Sequence, residues 1–388
     1  MKYFIVILTI CSLLFGACVE VRAGVPWLPE ARRFVPADSV HVWNYSAPDI
    51  RQLALRAFPE AKGSLLSADA KFWEQREDIA QWAAKLISHG NCVGGGDDLF
   101  SASQGVPAMM QTGACAMMWL MTGRSEYVDF MERAIFNAAW HAATDTLLSA
   151  DVSDRRAAAE TLLAMPATMY GVCGDSLFVN YYTNATSRIP VGEGSAFTLD
   201  LITQMPISGV VKFRFSQLPA EGRFLALHLR LPDWTGCSGA NSVYHYEGNE
   251  HATLPAIFVN GHELLPKMFR VDEKGYVIIE KTWFNMDEVY FQIPLPMLQV
   301  TSFRPEETGR SFLQRGPLVY VLPEEAKGFC FTSASETSIV SIDEAGLPVL
   351  SVKLFPGETG GGNEESGSKV FTATPYANAT KGSVFFHK

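Results

Sequence analysis

The side chains best able to do chemistry in this sequence are its cysteines and histidines, and their spacing narrows what that chemistry is. Of seven cysteines, Cys11 and Cys18 lie in a leader-like stretch, leaving Cys92, Cys115, Cys173, Cys237 and Cys330. None forms a Cys-x-x-Cys pair, so neither a zinc ribbon nor a thiol–disulfide redox motif is written here. An odd number in an oxidising compartment leaves at least one thiol unpaired. Cys115, beside Met117, Met118 and Trp119, reads as an inert buried thiol. His141 reads as a core or surface histidine, and His228, His245, His251 and His262 are scattered without ligand spacing. Three sequons, at Asn44, Asn184 and Asn378, are glycan acceptors if the host is eukaryotic.

The elements that must position these residues change character along the chain. Residues 1–23, with Lys2, an apolar run and the small-residue exit Val21-Arg22-Ala23, read as a secretory signal peptide. That places the protein in the secretory pathway or outside the cell, with no stable membrane span. Residues 24–64 are punctuated by proline and read as irregular. A helical region follows over 65–170. Phe72, Ile79, Trp82, Ala83 and Leu86 have helical spacing, and His89-Gly90 stops that helix. Val106 to Met121 is apolar all round, Ser125 to Leu148 is amphipathic, and Asp154 to Tyr170 is alanine-rich. Asn137 and Trp140, at helical spacing, read as packing.

Beyond Gly171 the period becomes two. Leu225, Leu227, Leu229 and Leu231 face one way while His228 and Arg230 face the other. Val277 and Ile279 begin a strand, Asn285 to Asp287 is turn chemistry, and Val289, Phe291 and Ile293 form one face of a return strand. Asn260-Gly261 is a hairpin turn signal. These features predict β-sandwich domains over 171–300 and 301–388, with residues 357–369 a flexible loop. The net charge of −10 argues against nucleic acid and anionic membranes as partners.

The wording of several segments is more specific than their period. GYVIIEKTWFNMDEVYFQIPLPMLQV at Gly275 followed by GRSFLQRGPLVYVL ending at Leu322 resembles the middle-domain ending of glycoside hydrolase family 127, the β-L-arabinofuranosidase-like proteins. MERAIFNA from Met131 is similar to a helix that family writes as MERALYN, and GGGDDLF before Ser101 to its glycine loop. GDSLFVNYYTNATSRI is similar to its entry strand, and the ending FTATPYANATKGSVFFHK to its closing strands. The resemblance implies an (α/α)6 barrel carrying catalysis, followed by β-sandwiches. The expected fold is therefore α+β and multidomain: a truncated (α/α)6-barrel remnant, then β-sandwich domains.

The resemblance also implies a cysteine nucleophile on zinc, held by three cysteines and a glutamate. Zinc lowers a thiol's pKa so that a thiolate exists at neutral pH. Here the Glu-x-Cys motif reads Gly113-Ala114-Cys115, and the Cys-Cys pair falls near Asp154-Arg155-Arg156-Ala157. Cys115 is the residual metal position, so no cofactor is expected. Asp98 and Glu132 stand at carboxylate positions of the family and could act as a hydrolytic pair. By spacing alone Asp98 is a loop cap and Glu132 an exposed helix residue. Three functions follow: a secreted carbohydrate-associated protein that has lost catalysis, an active glycosidase using Asp98 and Glu132 or a partner chain, or a non-enzymatic interaction protein. The carbohydrate implied is an arabinofuranoside-like glycan. A protein partner covering the truncated helical domain is also expected, because four barrel helices alone would leave a large apolar face in water.

Overall fold

A computed structural model of the chain describes residues 32–34, 40–43, 50–60, 112–113, 115–116, 119, 122–144, 152–190, 196–237, 244–247, 254–302, 310–332, 334–357, 367–379 and 386–387. The signal-peptide reading, the helix predicted from Ala68, Asp98 with its glycine loop, and Asn44 all lie outside the described residues. So does most of the loop predicted over 357–369.

Two sheets face each other in the middle of the chain. One holds β1 (Arg32–Phe34), β3 (Tyr170–Cys173), β4 (Ser176–Val179), β8 (Arg223–Arg230), β13 (Tyr276–Trp283) and β12 (Arg270–Val271), in that order. The other runs β11 (His262–Glu263), β10 (Ala256–Val259), β14 (Glu288–Gln292), β7 (Val210–Ser216), β6 (Ala196–Thr203), β5 (Asn184–Pro190) and β2 (Val40–Trp43). The strict alternation of β6 and β7 puts Phe197, Leu199, Leu201, Val211, Phe213 and Phe215 into the space between the sheets. Phe215 of one sheet stacks on Trp283 of the other at 4.5 Å between centroids. Val289 and Phe291 fill the same layer.

Three sequence expectations change here. Residues 24–64 are not irregular: two strands lie there, and so does helix α1 (Ile50–Ala57). Each strand finds a partner far along the chain, β1 on β3 and β2 on β5, so local pattern could not announce it. Next, β13 and β14 do not pair with each other. The turn Asn285–Asp287, with Met286 at φ +69°, carries the chain from one sheet to the other. Finally, the polar side of β8 is not a solvent face, since His228 and Arg230 are as buried as the leucines between them.

The C-terminal region forms a third, nine-stranded sheet. Its path is β18 (Phe329–Cys330), β20 (Pro348–Pro356), β21 (Lys369–Pro375), β17 (Leu318–Val321), β16 (Arg310–Arg315), β15 (Met297–Ser302) and β9 (Tyr244–Glu247). Two further strands, β19 (Thr337–Ile342) and β22 (Phe386–His387), pair with β20 and β16. The boundary drawn at residue 300 therefore shifts, because β15 straddles it and β9 joins from well inside the middle segment. The β16–β17 hairpin turns on Gly316-Pro317, with Gly316 at φ +58°, the position a two-residue turn reserves for glycine. The Asn260-Gly261 turn, with both residues at positive φ, joins β10 to β11 as its sequence predicts.

The helices lie against the strands. Helix α2 (Glu126–Arg133) continues through a π-helical stretch (Ala134–Ala139) into α3 (Trp140–Thr144), and α4 (Val152–Met169) leads directly into β3. Among their described residues, Val152 alone is a large apolar side chain left exposed. The apolar face that the sequence seemed to leave in water is thus packed away over the described helices. One backbone contact is tight enough to test. A Cβ on Gly209 would lie 1.7 Å from the Ile293 carbonyl oxygen, where Ile293 N–H also donates to the Gly209 carbonyl at 2.9 Å. Gly209→Ala should cost roughly 2–4 kcal/mol of stability through forced backbone displacement, read as a lowered denaturation midpoint.

Candidate functional site

Of the residues singled out for chemistry, Glu132 lies in a buried polar cluster where α2 meets the end of β8. Arg230 is the centre. Its Nε donates to the Asn180 carbonyl at 2.6 Å, one terminal nitrogen donates to Asp129 Oδ1, and the other to Glu132 Oε1. Glu132 Oε2 accepts the Trp234 indole N–H at 3.0 Å. Both oxygens of Glu132 are therefore occupied, and the side chain is buried rather than exposed as its spacing suggested. A three-residue turn after β8 brings Asp233 alongside, and the Asp233 N–H donates to Asp129 Oδ1 at 3.2 Å.

Arg133, next to Glu132 on the same helix, donates to Asp233 and to the Tyr246 hydroxyl. Tyr246 in turn donates to Asp233 Oδ2 at 2.8 Å. Three carboxylates and two guanidiniums thus share one dry volume, the arrangement in which each charge must find a partner. Burial works against the charge of Arg230, but Glu132 and Asp129 overcome it and hold the guanidinium more firmly charged than usual. Burial likewise pushes the Tyr246, Tyr182 and Tyr276 phenols far up, so none is a proton donor at working pH.

A second layer of hydrogen bonds extends the cluster. Trp119 donates to the Tyr276 hydroxyl at 2.9 Å, Tyr276 to Asn180 Oδ1 at 2.8 Å, and Asn180 Nδ2 to the Thr168 carbonyl at 2.8 Å. The Trp119 indole also lies on Gly171, where a Cβ would approach it to 2.6 Å. Cys115 is buried, as is Trp119. Cys173, by contrast, is half-buried at the end of β3, paired with Ser176 across the β3–β4 hairpin.

Further along the same helix, Asn137 is fully buried in the π-helical stretch. Its Nδ2 donates to the Pro317 carbonyl at 2.8 Å and its Oδ1 accepts from Val319 N–H at 2.9 Å. His141 Nδ1 reaches the Tyr376 carbonyl at 3.0 Å, and the Thr144 hydroxyl donates to the Ala377 carbonyl at 2.9 Å. One helix therefore grips the LPDWT turn, the GPLVY hairpin and the PYAN turn. Sequence reading found Glu132 but not its partners Asp129, Arg133, Arg230 and Asp233. Alternation along β8 put Arg230 with His228 on the face opposite the leucines, so local pattern gave no signal of its burial.

With this architecture in view, comparison with known proteins is decisive for the middle of the chain. Residues 176–297 match the model described as beta-L-arabinofuranosidase, GH127 middle domain. The chain is a GH127-like protein. Similar solved structures agree in fold. A GH127 beta-arabinofuranosidase superposes with TM-score 0.59 at 18% identity, over 72% of this chain and 48% of that one. A GH127 beta-L-arabinofuranosidase from Geobacillus stearothermophilus T6 gives 0.55 at 18%, over 72% and 49%. A glycoside hydrolase gives 0.56 at 16%, over 74% and 52%. The GH127-like chain thus spans about half the length of the structures it resembles. No curated protein matches it in sequence.

Two of the glycosylation candidates can be placed on the GH127-like fold. Asn184 is buried, its Nδ2 donating to the Thr203 carbonyl at 3.0 Å and its Oδ1 accepting from Thr203 N–H at 2.8 Å. A glycan cannot be carried there without breaking the β5–β6 edge, so this sequon is withdrawn. Asn378 is half-buried and donates to Asp343 Oδ2 at 2.8 Å. Expression in a eukaryotic host followed by peptide mass spectrometry should find Asn184 unmodified. Glu132→Ala, which removes one of the two carboxylates that pair with buried Arg230 and leaves the Trp234 N–H without its acceptor, should destabilise the fold by on the order of 3 kcal/mol. Asn137→Ala should cost about 2 kcal/mol by leaving the Val319 N–H and Pro317 carbonyl unpaired. Denaturant titration measures both.

Proposed function

We propose that this chain is a secreted, carbohydrate-associated member of the GH127 lineage that does not use zinc–thiol catalysis. The observation that carries the reading is the state of Glu132. As a general acid or base it would need a free oxygen facing substrate, yet both its oxygens are bound inside the core, one by Arg230 and one by Trp234. A carboxylate held in this way joins helix to sandwich and is a poor hydrolytic partner for Asp98.

The donor set supports the same reading. At the positions where the family implies zinc ligands, Gly113 has no side chain, and the cysteine pair is replaced near Asp154-Arg155-Arg156-Ala157. Arg156 extends its guanidinium over the Phe58 ring at 5.7 Å, a place suited to cations of the protein's own. Cys115 remains, buried, as the one implied ligand with a donor atom. These residues do not fit a tetrahedral zinc site. Secretion is supported by the apolar leader with its Val21-Arg22-Ala23 exit. The sugar class, an arabinofuranoside-like glycan, is taken from the GH127 middle domain that residues 176–297 match.

The non-enzymatic interaction reading has one observation of its own. All six residues of β19 are exposed, including Ile339, Val340 and Ile342, and the strand carries no charge. Such a strand is a template for pairing with another chain.

Purified protein is to be assayed with a chromogenic β-L-arabinofuranoside while zinc is quantified in the same sample, and separately applied to an arabinan-containing glycan array. The expected result is no turnover, zinc far below one equivalent, and retention on arabinofuranoside glycans. Turnover with stoichiometric zinc would sink the proposal. A folded sample that ignores every glycan would favour the interaction reading instead.

A further inference from the structure

The turn between β10 and β11 carries the single Asn-Gly dipeptide of the sequence, Asn260-Gly261. That pair is chemically unstable in a loose chain. With no side chain on glycine to hinder it, the Gly261 nitrogen can attack the Asn260 carboxamide carbon and close a five-membered succinimide. Both residues are exposed, so water and base reach them. We propose that Asn260 is a latent deamidation site, kept intact by a hydrogen-bond clamp in the folded protein, and that its conversion prevents the clamp from closing again.

The clamp holds every polar atom of Asn260 that the reaction needs. Its N–H donates to the Glu288 carbonyl at 2.9 Å, and its Oδ1 accepts the Glu288 N–H at 2.8 Å. Its Nδ2 donates to Asp287 Oδ1 at 2.7 Å. Asp287 is itself fixed, because its Oδ2 accepts Lys281 Nζ at 2.9 Å and the Phe284 N–H at 3.0 Å. Burial pulls the Asp287 carboxyl up, but the Lys281 and Asn260 donors outweigh it and hold the group below its usual range. Ring closure draws the carboxamide carbon onto the Gly261 nitrogen and turns the carboxamide. One neutral hydrogen bond and one charge-assisted bond must break for that. The folded protein therefore reacts only through local opening of this turn.

The step balances with water as its only co-reactant. The Gly261 N–H gives its proton to solvent base, the nitrogen bonds to Asn260 Cγ, and the Cγ–Nδ2 bond breaks with release of ammonia. Water then opens the ring to aspartate, or to isoaspartate where it attacks the main-chain carbonyl. Either product defeats the clamp. Aspartate sets a second carboxylate where a donor had reached Asp287 at 2.7 Å, and like charges at that range repel. Isoaspartate adds a carbon to the main chain inside a two-residue turn that needs positive φ at both positions. The Val259–His262 and Phe258–Glu263 pairs, which hold β11 to β10, then lose their register. Because Asp287 also binds Lys281 of β13, the change falls on a joint between the two middle sheets.

The test is incubation of the full chain in mildly alkaline buffer, with and without denaturing urea, followed by peptide mass spectrometry at Asn260. Folded wild type should deamidate on the order of a hundredfold more slowly than the unfolded chain, the cost of opening two such bonds. Asp287→Ala removes one of them and should speed the folded-state reaction roughly tenfold while leaving the rate in urea unchanged. Asn260→Asp makes one product directly and should lower the folding constant roughly tenfold or more in a denaturant titration. Equal wild-type rates with and without urea would overturn the proposal, as would a folded Asp287→Ala variant that deamidates at the wild-type rate. Full wild-type stability in Asn260→Asp would overturn the claim that conversion defeats the clamp. If Asp287→Ala does not fold, Asp287→Asn, which keeps the shape and removes the charge, decides by the same comparison of rates.

Discussion

The structure depends on the buried guanidinium of Arg230. Arg230 lies at the end of β8, inside the protein, with its three donor nitrogens directed to the Asn180 carbonyl, Asp129 and Glu132. It touches the middle sheets through Asn180 and helix α2 through the two carboxylates. Removing either side leaves a charge without water or partner, a state far costlier than the net gain of making the pair. Such a group does little for stability compared with a well-packed hydrophobe. What it does is fix one geometry: the helix can seat on the sandwich only where the guanidinium meets both acids. The neighbouring pair, Arg133 with Asp233 and Tyr246, repeats the constraint one residue along the helix and ties in β9 of the third sheet.

From that anchor the remaining contacts follow in register along one helix axis. Asn137 lies one turn beyond Arg133 and closes on the backbone of the Gly316 hairpin, satisfying a carbonyl and an N–H that would otherwise be buried unpaired. His141 and Thr144, a further turn on, accommodate the carbonyls of the Tyr376 turn. Partners of Asn137 lie 180 and 182 residues away in sequence. Three separate backbone turns, each with exposed polar atoms, become a single docking surface because one helix presents side chains at helical spacing. The same logic explains why the described helices leave so little apolar surface exposed.

Much of this was legible in the sequence, and the rest was hidden for identifiable reasons. Period two after Gly171 and the Asn260-Gly261 turn each rest on local pattern, and local pattern was enough. Strands β1 and β2 were missed because a three- or four-residue strand between prolines has no period of its own and exists only through its distant partner. The pairing of β13 with β8, rather than with β14, was missed because two adjacent apolar strands joined by a turn look alike whether they share a sheet or face each other across a core. At the site, Glu132 was found through wording, but its burial was not. Glutamate is rarely buried unless paired, and its partner sat on a strand whose alternation read Arg230 as outward-facing. A helix covering that second face is a tertiary fact with no local sequence signal.

The family wording itself takes on a different meaning once these contacts are seen. In MERAIFN, Glu132 binds Arg230, Arg133 binds Asp233, and Asn137 binds the GPLVY hairpin. In LRLPDWT, Arg230, Asp233 and Trp234 are the receiving groups, and in PYAN it is the backbone of Tyr376 and Ala377. Three of the segments that carry the resemblance, MERAIFN, GPLVY and PYAN, therefore meet in one docking surface. Their requirement is geometric and holds whether or not any sugar is cleaved. Zinc–thiol chemistry places its requirement elsewhere, on Gly113 and the stretch at Asp154, and there the wording departs from the family. On the proposed reading, the residues that set the docking geometry are present in this sequence while the donors implied for zinc are not.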